Sequence, residues 1–563
     1  MQFTRIVLSG RYQEIGPQVM GFSPASRLRM FRFDLFYEQV GRIVRSSSLS
    51  HVLVERRRDF SVPVFGGLEE IRSALERIRK SGKTVVYHAP EYEAFDCVLA
   101  ASCSRRIMHP LGQVSFRGLA MPSLFFKKLL DNHQVEVAVI RRDRYKGAAD
   151  RIRTEAFDRY AREQYQEVLS GTVAAMRKAA AEGGGSSGGF TEELLDQMLD
   201  GRMFTAPQAL EAGMVDELLT LNELTEQWKR SKAREKRMRK RFRLWSPPRV
   251  AVVVLEGMII DGGNRTHPLF GTAAGDHEMV KTLRALRKNK RVKGVVFRIN
   301  SGGGSPTASE NIVKELQALH RAKPLLISMG PVAGSGGYWL ATTGRRVFAL
   351  PTTLTGSIGV LTLYFNLSKL LEKYGITTDC IREGEFSDMG SPLRPLTEKE
   401  RERIDASVEF LYQAFIDRVS ERRKLTREKV HELGEGRVWL GKEAVRHKLV
   451  DQTGGLHDAV AHMKEVLGVE KLKLHFLPRQ TLLMRMFGRQ SVAAGEKLWS
   501  GQLAEEGFSP QAGMDRAMRS GSETIAGIFG TPLSIVRACL SVHGQMLYAD
   551  PFFCCGSWYT VGE

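Results

Sequence analysis

No run of about 18 uncharged apolar residues occurs anywhere in the 563-residue chain, so the sequence offers no membrane-spanning helix. Its first residues, MQFTRIVLSGRYQEIG, lack the long apolar core of a secretory leader. Cysteine is scarce: six residues, at 97, 103, 380, 539, 554 and 555, form no CxxC pair and show no spacing for a disulfide framework. That pattern excludes a thiolate zinc site and reads as thiols in a reducing compartment. An acidic balance is also missing. The formal charge is +20, and the segment 229–243 (KRSKAREKRMRKRFR) supplies about half of it, with ten Lys/Arg and one Glu. The expectation is peripheral association with a membrane, with a cytoplasmic place left open.

What is present is a folded chain, 42% apolar and too long for one core. It also repeats itself. Residues 190–216 (FTEELLDQMLDGRMFTAPQALEAGMVD) align without gaps on 425–451 (LTREKVHELGEGRVWLGKEAVRHKLVD) at an offset of 235. Residues 104–118 match 344–360 at an offset near 240, and HVLVE (51–55) matches GVVFR (294–298) at 243. Offsets this constant indicate a tandem duplication. In each half, short β-branched runs alternate with amphipathic helical stretches, as in RVAVVVLEG, VKGVVFRIN and ASENIVKELQALHRA. Such alternation predicts α/β units around a mainly parallel sheet. The expected organisation is a first repeat at 30–222, a basic linker at 223–248, a second repeat at 249–475 and a partly helical tail at 476–563. The tract GGGSSGG (183–189) reads as a flexible loop.

The copies differ where chemistry is expected. PVAGSGGYWL (331–340) sets Ser335 between glycines after an apolar strand, yet no histidine lies within ten residues on either side of it. The aligned stretch of the first copy, EYEAFDCVLAAS, places Phe95 there. Conversely, RYKGAAD (144–150) has Lys146 where the second copy has Ser387. Alone, a Gly-Ser-Gly-Gly is more often a turn, and a lysine in a basic stretch more often surface. Their complementary loss points to one composite site, with a serine from one half and a lysine from the other. Neutral lysine can take a serine proton. Free lysine is charged at neutral pH, so the reading requires burial and neighbouring positive charge to disfavour the ammonium. A third element, RINSGGGSPTASE (298–310), follows a strand and opens a helix. Its backbone N–H groups suit an oxyanion hole or, alternatively, a phosphate cradle, although neither GxxxxGK[ST] nor a complete GxGxxG unit is present.

RINSGGGS, AGSGGYW, TGSIGV and GRVWLGKEAVRHKLVD, with RYKGAAD in the first half, resemble the signal peptide peptidase A (protease IV) family in its long, duplicated form. The resemblance covers about 50–475. It implies two tandem Clp-protease/crotonase-like α/β domains and a Ser–Lys serine endopeptidase acting on signal-peptide remnants and other apolar peptides. It also implies a homotetramer, with no cofactor or metal. By motif, Ser335 matches the nucleophile, Lys146 the general base and Ser357 a serine that orients the lysine. Gly303 and Gly336 match the oxyanion-hole donors. Gly302 stands where the family usually has proline, a freedom worth on the order of 1 kcal/mol. The alternatives are an acyl-CoA-processing crotonase-like enzyme, in which Lys146 has no special role, and a degenerate peptide-binding scaffold. For the basic linker, bracketed by Trp228 and Trp245 with Met238 and Phe242 inside, the readings are a solvated helix or contact with anionic lipid. Nucleic acid is the rival partner for such charge and is not the expectation.

Overall fold

A computed structural model describes residues 2–16, 30–142, 144–183, 188–231, 233–236, 247–267 and 271–478. Met238, Phe242, Trp245, residues 184–187, the tail beyond 478 and its cysteines lie outside the described residues. Of the remaining cysteines, Cys97 and Cys103 are buried and Cys380 is exposed. Among the described residues no helix is long and apolar enough to cross a membrane.

The first half carries strands β1 (Gln2–Leu8), β2 (His51–Arg56), β3 (Thr84–Ala89), β4 (Arg105–Met108), β5 (Glu136–Arg141), β6 (Glu217–Leu218) and β7 (Arg234–Glu235). Its helices include α1 (Phe33–Val44), α2 (Phe65–Lys80), α3 (Ala94–Ala101), α4 (Arg159–Ala181) and α5 (Leu221–Arg230). The second half adds β8 (Arg249–Glu256), β9 (Val292–Ser301), β10 (Leu325–Gly334), β11 (Val347–Ala349), β12 (Leu354–Gly356), β13 (Leu361–Asn366), β14 (Val438–Leu440), β15 (Gln452–Thr453) and β16 (Lys473–Leu477). With them come α6 (Asp276–Lys288), α7 (Pro306–Ala322), α8 (Gly336–Ala341) and α9 (Leu456–Leu467).

The first sheet runs β6-β4-β3-β2-β1-β7, all parallel. The second contains the same order, β15-β11-β10-β9-β8-β16, with β12 and β14 added beside β10. The duplication is therefore present in the strand order as well as in the sequence. Strands β1 and β7 bring residues upstream of 30 and part of the 223–248 segment into the first sheet.

Strand β8 shows how the layers stack. Val250, Val252 and Val254 face a core shared with α1 and α2 of the first half, while Ala251, Val253 and Leu255 face a second core under α6 and α7. A parallel strand buried on both faces needs this continuous apolar run, and alternation deals its residues to opposite sides. The halves are thus joined by a common core. A buried ion cluster lies in the same interface. Arg298 on β9 reaches Glu14 and Glu70 of the first half, each at 2.8 Å, with all three side chains almost fully buried. Arg298 also donates to Ser328 Oγ and to the Met329 carbonyl. Finally, β5 pairs antiparallel with β13, carrying the end of β5 and the residues after it into the second half.

Candidate active site

Ser335 sits where β10 runs directly into α8. Its backbone has φ 51° and ψ −120°, a region L-residues rarely occupy. The turn is held from both sides: Ser335 N–H donates to the Gly356 carbonyl at 2.9 Å, and the Ser335 carbonyl accepts from Trp339 N–H at 2.8 Å. This sharp strand-to-helix turn presents the hydroxyl to Lys146. The helix C-caps of the two halves, Ser102 and Thr342, keep the offset of 240, so Phe95 of the first half remains the counterpart of Ser335. There α3 starts earlier, capped by Glu93, and the turn is replaced by helix.

Lys146 follows β5 and enters the second half through the β5–β13 pairing. Its Nζ lies 3.1 Å from Ser335 Oγ and donates to Ser357 Oγ at 2.8 Å and to the Ser357 carbonyl at 3.0 Å. Lys146, Ser335 and Ser357 each have 0% exposure. Serine and lysine lie 189 residues apart in sequence and within hydrogen-bond reach in space. Ser357, like Ser335, has a positive φ, 49°. Its N–H donates to the Arg437 carbonyl, which fixes the hydroxyl beside the amine. Ser387, which aligns with Lys146, is exposed and donates to the Gly384 carbonyl instead.

The glycine loop closes the other side. Gly303 adopts φ +109°, and a Cβ there would sit 2.8 Å from Ser335 Cβ and 2.7 Å from Gly336 N. Only glycine allows the loop to approach the serine this closely. Gly336 is the first residue of α8, so its N–H has no intrahelical acceptor. The Gly303 N–H donates to Ser301 Oγ at 3.1 Å, so one of the two expected donors is engaged within its own loop. Ser305 caps α7 by accepting from Ala308 N–H, with Pro306 at the first helical position, which anchors the end of the loop. Among the described residues no group of three or more His, Cys, Asp or Glu could hold a metal ion.

The motif GRVWLGKEAVRHKLVD begins at Gly436, but nothing in it gave a role to the Glu435–Gly436 turn, which touches Lys146. Its signal was the GEGR matched to LDGR of the first copy at the repeat offset.

Comparison with known proteins identifies the family. The model of Peptidase family S49 matches residues 77–235 and 317–470, once in each half. The chain is 31% identical over 437 residues to Protease 4 of Salmonella typhi, covering 74% of this chain and 69% of that protein. It is 29% identical over 416 residues to the chloroplastic Serine protease SPPA of Arabidopsis thaliana, covering 71% and 61%. A shorter match, 34% over 222 residues, is to a Putative signal peptide peptidase SppA of Enterococcus faecium, covering 39% of this chain and 64% of that one. The chain belongs to peptidase family S49 and is a serine-type peptidase.

Proposed function

We propose that this member of peptidase family S49 is an endopeptidase in which Lys146 of the first half is the general base for Ser335 of the second. The observation that carries the reading is the 3.1 Å contact between Lys146 Nζ and Ser335 Oγ across the joined halves. In the neutral amine the two N–H groups serve the Ser357 hydroxyl and carbonyl, and the lone pair accepts from the Ser335 hydroxyl. Full burial strips water from the amine, which disfavours its charged form and favours the neutral base the reaction needs. The hydroxyl and carbonyl of Ser357 orient the nitrogen toward Ser335. As Ser335 Oγ attacks the scissile carbonyl, its proton passes to Lys146 Nζ. The tetrahedral oxyanion is stabilised by the N–H of Gly336 and by that of Gly303, which exchanges Ser301 Oγ for the oxyanion. Lys146 then returns the proton to the leaving amine, and water, deprotonated by the same lysine, hydrolyses the acyl-enzyme.

The proposed substrates are signal-peptide remnants and other apolar peptides at a membrane surface, processed by a homotetramer. The name of the Enterococcus faecium relative and the motif resemblance support the substrate class. The crotonase-like acyl-CoA reading leaves the Lys146–Ser335 contact without a role.

A fluorophosphonate probe tests the dyad. Labelling of Ser335, located by peptide mass, is expected in the wild type and reduced by about 10²–10⁴-fold in Lys146→Ala, the usual contribution of a general base. Equal labelling of the two proteins, or none of the wild type, would sink the reading. Cleavage of a leucine-rich peptide against an equally long charged one checks the substrate class.

A further inference from the structure

The lysine does not seat itself. Three consecutive residues of the first half, Arg144, Tyr145 and Lys146, face three of the second, Glu435, Gly436 and Arg437. Arg144 Nη2 donates to Glu435 Oε1 at 2.8 Å, and Tyr145 N–H donates to the Glu435 carbonyl at 3.0 Å. The Arg437 guanidinium lies over the Tyr145 ring, 4.8 Å from its centroid. Between these contacts Gly436 lies flat against the lysine. A Cβ on Gly436 would come within 2.6 Å of Lys146 N, 2.7 Å of Lys146 Cβ and 2.8 Å of Lys146 Cα. The turn is tied to the orienting serine as well. Gly436 N–H donates to the Ile358 carbonyl at 2.8 Å, and Ser357 N–H donates to the Arg437 carbonyl at 2.7 Å. Glu435 holds φ 47°, unusual for a residue with a side chain, which marks a turn kept in place by its surroundings.

The first half has a glycine at the same repeat position in a differently shaped turn, Asp200 holding φ −70° where Glu435 holds 47°. Gly201 is the repeat counterpart of Gly436, and both have positive φ, +92° and +77°. Nothing lies within 4 Å of a Cβ built on Gly201. The backbone conformation accounts for glycine in both copies, but only in the second is the missing side chain also the space that Lys146 occupies.

We propose that Gly436 is a positioning residue for the general base: the bare face of the Glu435–Gly436 turn sets how deeply Lys146 enters the second half and so the distance from Nζ to Ser335 Oγ. The inference rests on the Ser335–Lys146 reading and adds a residue that touches neither substrate nor reacting atoms.

The test compares fluorophosphonate labelling rates in the full chain for Gly436→Ala, Gly201→Ala, Lys146→Ala and the Lys146→Ala/Gly436→Ala double variant. Gly201→Ala bears the positive-φ cost alone and is expected to label within about 2-fold of wild type. Gly436→Ala should label about 100-fold more slowly, since a misplacement near 1 Å is worth that much in an oriented site. In the Lys146→Ala background the same change should add less than about 2-fold, because a residue acting through the lysine has nothing left to act on. A merely structural role would slow both backgrounds alike. Equal rates for Gly436→Ala and Gly201→Ala, or equal slowing with and without the lysine, overturns the proposal. If Lys146→Ala labels like the wild type, the dyad reading itself fails, a result distinct from either. Should Gly436→Ala lose cooperative unfolding, Gly359→Ala carries the same test. Its Cβ would lie 2.9 Å from Gly436 Cα and 3.3 Å from Lys146 Cδ. A wild-type rate in that variant likewise overturns the proposal.

Discussion

The two halves share a strand order and differ in what covers them. Helix α5 of the first half packs Leu224 and Trp228 onto its own sheet, beside Phe3, Leu53, Val86 and Ile107. Its counterpart α9 contributes Leu456, Ala459, Val460 and Met463 to a core that also holds Phe33, Tyr37 and Val40 of the first half. The helix covers its own sheet in both copies, with Met463 against Gly294 in the second, but only in the second is it itself covered by the sister half. This offset stacking explains why the copies could diverge in a complementary way. Arg298, His457 and Gly436 took partners from the first half. Of their counterparts, Glu55 pairs within its own half, and Asn222 and Gly201 are exposed.

The most severe way to break that comparison is at β9. Glu55 pairs with Arg5 and Arg57, both partly exposed, whereas its counterpart Arg298 sits between Glu14 and Glu70 with no exposure. Replacing Arg298→Met leaves two buried carboxylates without their cation, and the expected loss is about 3–5 kcal/mol in denaturant unfolding. The triple variant with Glu14→Gln and Glu70→Gln should recover most of it, since the penalty lies in the stranded charge. By contrast, Glu55→Gln should cost about 1 kcal/mol or less, because water reaches its partners. An Arg298→Met protein as stable as Glu55→Gln would mean that the halves are not joined through this cluster. Cutting the chain between the halves is a poorer test, because it exposes the shared core as well as removing Lys146.

Much of this was legible in the sequence, for physical reasons. The strands β8 to β10 are apolar on both faces, so they could be read without knowing their neighbours. Ser335 and Lys146 stood out because the copies lost different residues, whereas Ser357 was named only through the motif resemblance. The contacts that depend on stacking were not legible. Nothing in QFTRIVL marks residues 2–8 as a strand of the first sheet, because its polar Thr4 and Arg5 interrupt the apolar pattern. Nor does a motif say that Gly303 N–H is held by Ser301 Oγ, since that depends on a rotamer within the loop. Gly436 looks like an ordinary turn glycine until the first half lies against it.

A milder probe of the stacking is pH. His457 on α9 lies 3.4 Å from the Tyr37 hydroxyl of the first half, while its counterpart Asn222 is exposed. Burial, and secondarily the Arg77 guanidinium, push the His457 imidazole from 6.5 down to about 4. An unfolded chain takes up this proton near pH 6.5, and the folded chain resists until about 4. Stability from this group is therefore full above pH 6.5 and falls as pH drops toward 4. Allowing for its partial exposure, the expected loss over that window is about 1–2 kcal/mol. His457→Asn, which installs the residue of the first copy, should flatten this limb in urea midpoints taken from pH 7.5 to 4.5. An unchanged slope would assign the acid sensitivity elsewhere.

The smallest expected effect concerns the serine turn. At φ 51° and ψ −120°, Ser335 carries strain of order 1–3 kcal/mol that Phe95, within regular α3, does not. Glycine tolerates that conformation but costs roughly 0.5–1 kcal/mol through the freedom of the unfolded chain. Ser335→Gly also removes one hydrogen-bond partner from Lys146 Nζ, while the hydroxyl and carbonyl of Ser357 remain. The balance favours a gain of about 0.5–1 kcal/mol in the urea midpoint together with complete loss of fluorophosphonate labelling, stability and activity moving in opposite directions. The same change at Phe95 should have the opposite sign. It removes a ring packed on Phe60 and under Arg56, and it puts glycine inside a helix. If Ser335→Gly destabilises as Phe95→Gly does, the turn is not strained, and the difference between the copies lies in the hydroxyl alone.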